Sequence, residues 1–151
     1  MHLGENASGI ATSGTRTILR GFNFHRIENL ENTFYKQIEG YARLSEGKPE
    51  NKYINEIVDS IGKENVTGYK RAISLINKLP ESISRDPFYA ALYIAVEAHH
   101  FEVHGSSQSR KGKTSEQISK ESEQVEKLQG LKERLIGKTG LYRQSIESLL
   151  S

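Results

Sequence analysis

Apolar positions along this chain recur at three- and four-residue steps, the spacing of a helix with one buried face. Ile27, Leu30, Phe34, Ile38, Tyr41 and Leu44 form a first stripe, ended before Gly47 and Pro49. Tyr53, Ile54, Ile57, Val58 and Ile61 form a second, stopped by Gly62, and Val66, Tyr69, Ile73, Ile76 and Leu79 a third, stopped by Pro80. Farther on, Ile118, Val125, Leu128, Leu131 and Leu135 make a narrow seam among Glu and Lys residues. Leu141, Ile146 and Leu149 then face one side of a short closing helix.

Between these stripes the pattern changes. Asp86 to Gly105, D-P-F-Y-A-A-L-Y-I-A-V-E-A-H-H-F-E-V-H-G, is apolar on nearly every side. The Asp86 carboxylate can accept from the free N–H groups of a first turn, and Pro87 suits the first helical position, where no N–H is needed. Gly105 can take the left-handed conformation that ends a helix, and His100 and His104 sit where the dipole favours positive charge. The segment predicts a helix over 86–104, about nineteen residues and about 28 Å long at 1.5 Å per residue. A strand over Tyr93–His104 would place His100, Glu102 and His104 on one face, but the length of the run and its Asp-Pro start favour the helix. The class expected is all-α: a single bundle of five to six helices around the buried central helix 86–104.

Residues 1–20 are rich in Gly, Ser and Thr and have little to bury, so a flexible N-terminal arm is expected there, with the helical bundle domain over 21–151. The two phenylalanines of Gly21–His25 would anchor the arm to the core. The arm lacks the basic start and apolar centre of a Sec signal, which places the chain in the cytoplasm. Its small, hydroxylated, acid-poor composition also suits the unfolded leader of a bacterial effector exported by a needle-type system.

Composition narrows the classes further. A net charge of +2 over 151 residues is too small to argue for nucleic acid. The absence of cysteine removes disulfides, thiolate metal sites and a cysteine nucleophile. No apolar run approaches the roughly eighteen residues of a membrane span.

Candidate chemistry gathers on the central helix. Asp86, Ala90, Tyr93, Glu97, His100 and His104 fall in one arc at 100° per residue. Glu97 and His100 stand at i and i+3, and His100 and His104 at i and i+4, so one helix offers three N/O donors to a divalent transition metal. His100 would then be ligand or general base, Glu97 its partner and Tyr93 a hydrogen-bond donor. Glu-x-x-His is half of a di-iron bundle motif, but no second copy exists. H-F-E-V-H is not the zinc-protease H-E-x-x-H, because the glutamate is displaced by one position. His99 points to the apolar side and is expected to be a hydrogen-bonded packing residue. The same histidines could instead form a pH-sensitive patch.

Two weaker patterns fail on their context. Gly112-Lys113-Thr114 and Gly137-Lys138-Thr139 resemble the end of a phosphate-binding loop, yet Ser107 and Lys132 stand where its leading glycine belongs. Arg20 and His25 have the Arg-x4-His spacing of the all-α HEPN ribonucleases, but in a Gly- and Asn-containing segment rather than at the opening of a long core helix.

The reading favoured by sequence is a non-catalytic protein-interaction or targeting module: an adaptor, a chaperone-like factor or a domain of a secreted bacterial effector. It needs no cofactor. Its partner, another protein or a second copy, would engage the Leu128, Leu131 and Leu135 seam, with Tyr93 as an aromatic contact. One alternative is a metal-dependent hydrolase or nuclease using Glu97, His100 and His104. Another is binding of nucleic acid or anionic membrane through the basic arm and Arg110, Lys111 and Lys113 of the 106–115 loop.

Overall fold

A computed structural model of the chain describes residues 24–150, and every regular element in it is helical. The elements are α1 (Phe24–Leu44), α2 (Pro49–Gly62), α3 (Val66–Ile76), α4 (Asp86–Ser107), α5 (Ser115–Ile136), a 3-10 turn (Gly140–Tyr142) and α6 (Arg143–Leu150). The expected all-α bundle is what forms. The arm over 1–20 lies outside the described residues. Of the Gly21–His25 anchor, Phe24 and His25 belong to α1 rather than to a preceding loop.

α4 is the centre because its sequence leaves no polar face over its first three turns. Pro87 through Val96 and Ala98 are all buried, and α1, α2, α3, α5 and the 3-10 turn pack around them. Burying a Leu, Ile or Phe side chain contributes about 1.5–3 kcal/mol, and truncating a fully buried Leu92 to Ala would cost about 3 kcal/mol.

Both ends of α4 differ from expectation. Arg85, not Asp86, occupies the N-cap, with helical backbone and no side-chain cap bond. The Asp86 carboxylate is turned away from its own helix and accepts from the backbone N–H of Leu141 at 3.1 Å. At the far end the helix runs through Gly105 to Ser107. The last carbonyls find side-chain donors: Ser107 Oγ on His104 O at 2.8 Å and Lys113 Nζ on Ser106 O at 2.6 Å. Left-handed glycine closure is therefore unnecessary. Gly112 takes the positive φ of 76° in the following loop instead.

The joints between the other helices are built by single polar side chains. Asn51 Nδ2 donates to Ala42 O at 2.9 Å and closes the end of α1. Asn65 caps α3 by accepting from Gly68 N at 2.7 Å. Gly68 has to be glycine, because a Cβ there would stand 2.5 Å from the Ser60 carbonyl oxygen of α2. Arg85 spreads over the end of α3 and its following turn, donating from Nε to Ile76 O at 3.1 Å and from Nη2 to Leu79 O at 2.7 Å and Asn77 O at 3.3 Å. Leu79 is buried although α3 ends at Ile76.

Thr114 caps α5 through a reciprocal box: its Oγ1 accepts from Gln117 N at 3.1 Å, and Gln117 Oε1 accepts from Thr114 N at 2.9 Å. Two apolar side chains expected inside are outside. Leu44 is 75% exposed, because ten residues on from buried Phe34 it has rotated about 80° from that face. Leu141 is 82% exposed, because the 3-10 turn sends Tyr142 inward, edge-on to Phe34 with ring centroids 4.8 Å apart. Ile146 is buried as expected. Among the described residues no helix is long and apolar enough to cross a membrane.

Candidate functional site

The polar stripe of α4 meets α5, and what fills the space between its side chains is a lysine. Lys132 Nζ lies 2.7 Å from Glu97 Oε2, and each side chain is 15% exposed. The same ammonium lies 3.3 Å from His100 Nδ1. Tyr93 OH donates to Glu97 Oε2 at 3.4 Å, and the rings of His100 and His104 stack with centroids 5.9 Å apart. Tyr93, Glu97, Lys132, His100 and His104 thus form one ladder along the α4–α5 contact.

The electrostatics follow from that order. An ammonium can only donate, so His100 Nδ1 accepts from it, and the neutral ring carries its proton on Nε2. Burial first, and then the Lys132 ammonium, hold His100 below the ordinary histidine value, against an upward pull from Glu97. Burial pushes the Tyr93 phenol far up, and the Glu97 carboxylate beside it pushes the same way. A carboxylate engaged by an ammonium, beside a histidine facing the same ammonium, is a structural cross-link between the two helices. Among the described residues no group of three or more His, Asp or Glu side chains is placed to hold a metal ion. Glu97, His100 and His104 do share a face, but Lys132 stands between the first two.

His99 faces the other way, as the sequence suggested. Its Nδ1 is 2.9 Å from Tyr69 OH of α3, and its Nε2 is 3.3 Å from Gln124 Nε2 of α5. A neutral imidazole has one donor and one acceptor, so with the Gln124 amide donating, Nδ1–H donates to the Tyr69 oxygen. Burial is the main cause that lowers His99 and the main one that raises Tyr69. His99 therefore ties three helices at one level.

The residues expected to meet a partner are mostly spent within the chain. Leu128, Leu131 and Leu135 are buried, because the seam of α5 is packed against α4. Tyr93, at 5% exposure, is no surface aromatic. In the basic loop, Lys113 is neutralised by Glu121 Oε2 at 2.9 Å, which leaves Arg110 and Lys111 as its exposed cations. Arg20 and the His25 side chain lie outside what is described. Thr139, of the second Gly-Lys-Thr triplet, is buried and donates to Ile136 O at 2.8 Å, so it cannot serve a phosphate.

Near the start of α4 an open cleft of about 540 Å³ is lined by residues that include Asn77, Arg85, Asp86, Tyr89 and Lys138. Lys138 Nζ stands 5.4 Å over the Tyr89 ring, and Tyr89 OH donates to Asn77 Oδ1 at 2.5 Å. Its charges are of both signs and its Arg85 is committed to backbone carbonyls, so no ligand class follows from it.

Lys132, Gln124 and Tyr69 were not singled out from sequence. Lys132 follows Leu131 directly and sits at the edge of the apolar seam, a position from which a long cation reaches across to a facing helix. Comparison of the chain with protein-family models, with curated proteins and with solved structures finds no match.

Proposed function

We propose that the chain is a non-catalytic protein-interaction module, a small helical adaptor or targeting domain that acts in the cytoplasm or after export. The observation that carries this reading is Lys132. Its ammonium occupies the space between Glu97 and His100 that a metal, a substrate or a transferable proton would need. On this reading the strongest chemical constellation in the sequence serves packing. Consistently, among the described residues no buried side-chain nitrogen or oxygen lacks a hydrogen-bond partner.

The surface that supports an interaction is the end of the bundle where α1 finishes and α4 begins. Tyr41 stacks on Phe88 with centroids 6.3 Å apart, and Asp86 holds Leu141 N. Leu44, one turn beyond Tyr41, and Leu141 therefore emerge at the same end, both largely exposed. The partner is a protein that covers these two side chains.

The test is native mass spectrometry and elemental analysis of the untagged protein, with Leu44→Ser and Leu141→Ser beside it. The expected result is a metal-free chain whose complex with itself or a co-purifying protein is lost in the two variants and survives chelation. One transition metal per chain, lost in His100→Ala, would replace this reading with the metalloenzyme. Binding to nucleic acid or anionic vesicles that falls steeply with salt and needs Arg110 and Lys111 would replace it with the electrostatic one.

A further inference from the structure

Neutral and acid solution give the α4–α5 ladder very different charge counts. With His100 neutral, Lys132 and Glu97 balance. With His100 protonated, two cations only 3.3 Å apart, Lys132 and His100, share one carboxylate. No other carboxylate pairs with Lys132 or reaches His100 by a hydrogen bond or ion pair among the described residues. The neighbours from each packed element are few: Tyr69 of α3 and Glu64 in the turn before it, Glu97 and Glu102 of α4, and Gln124 and Lys132 of α5. Glu64 and Glu102 act on His99 and oppose its burial, whereas His100 faces Lys132 directly.

We propose that the outer half of the α4–α5 hairpin, residues 99–124, is an acid-sensitive element that opens from its base when His100 takes up a proton beside Lys132, while α1–α3 stay packed. The base is where His100 meets Lys132 and where His99 meets Gln124. Beyond it the hairpin is held by little. Val103 and Ile118 are half-buried, and Lys113 bonds Ser106 and Glu121. Lys132 stands on the sealed side of that base, among the buried Leu128, Leu131 and Leu135. Acid therefore strains the hairpin at the base of its thinly held half.

The sign follows from where protons bind. His99 and His100 sit below the ordinary value in the folded chain, so as pH falls the open or unfolded chain takes up protons first. The closed hairpin is fully favoured above the unperturbed histidine value of about 6.5 and is lost as pH falls toward the depressed ones. Each unit of depression corresponds to about a tenfold shift toward the open form.

Amide hydrogen exchange on the full chain at about pH 7.5 and about pH 5, expressed as protection factors so that intrinsic rates cancel, tests this across the titration range of histidine. The expected result is a loss of protection over residues 99–124 with α2 and α3 unchanged. In Lys132→Met the His100 titration, followed by its ring-proton resonances, moves upward and the loss over 99–124 shrinks. His100→Gln, which removes the titrating ring but keeps a polar side chain, likewise shrinks the loss over 99–124 and serves if the lysine variant is too unstable to study. Equal loss in every helix, or an unchanged acid response in both variants, would overturn the proposal.

Discussion

Lys132 and Glu97 meet at 2.7 Å across the α4–α5 contact, with most of both side chains out of solvent. An ion pair so placed is worth little against an apolar replacement, but leaving one charge behind is costly. Glu97→Gln and Lys132→Met are each expected to destabilise the chain by about 1–2 kcal/mol, and the double variant by about 1 kcal/mol less than their sum. Urea midpoints at neutral pH measure the cycle. Strict additivity would show that the pair does not act as a unit.

Arg85 links the end of α3 to the start of α4 by three bonds to carbonyl oxygens. Arg85→Ala should cost about 2 kcal/mol, since the partly buried carbonyls lose their donors. Arg85→Lys should recover less than half of that, because an ammonium cannot reproduce the spread of a guanidinium. Thermal unfolding followed by circular dichroism checks both, and a lysine variant as stable as the parent would contradict the capping role.

Gly140 has a φ of 53°, and a Cβ built on it would run into the Asp86 carboxylate. Gly140→Ala is therefore expected to cost about 2 kcal/mol from backbone strain and overlap together. In an Asp86→Ala background the same change should cost visibly less, since only the backbone component remains. Identical costs in the two backgrounds would mean that the carboxylate is not pressed against this turn.

At the alkaline end the tyrosines report on the core. Of seven tyrosines, Tyr69, Tyr89, Tyr93 and Tyr142 are all raised, chiefly by burial. Their folded values lie above the unfolded one, so stability is intact below about pH 10 and is lost as pH climbs past it. Tyrosinate absorbance from these four should rise only together with the loss of helical circular dichroism. Full ionisation of all seven with the helices intact would refute this.

The apolar periodicity made the helices legible, including the α4 run that has no polar face until Glu97. It located the Leu128, Leu131 and Leu135 seam but could not say what the seam packs against, because α4 and a partner protein offer the same apolar surface. The ends were harder. Gly105 has the residue type of a helix stop, yet Ser107 and the distant Lys113 supply donors that let the helix continue. Asp86 has the type of a cap, yet it serves Leu141 from fifty-five residues away. The three-residue grouping Glu97, His100 and His104 was readable from spacing. The ammonium that neutralises it comes from another helix, and register between helices is not written in either one.

Helix α4 is enclosed from both directions along the chain, by α1–α3 before it and by α5 and the 3-10 turn after it. Synthesis delivers those walls at different times. When Ser107 leaves the ribosome, the side of α4 that Leu128, Leu131 and Leu135 will cover is still bare, and it remains so for about thirty more residues, or a few seconds of elongation. A nascent chain in that interval presents a long apolar helix to whatever is nearby. The order of its helices thus leaves one face of the core open until α5 closes over it.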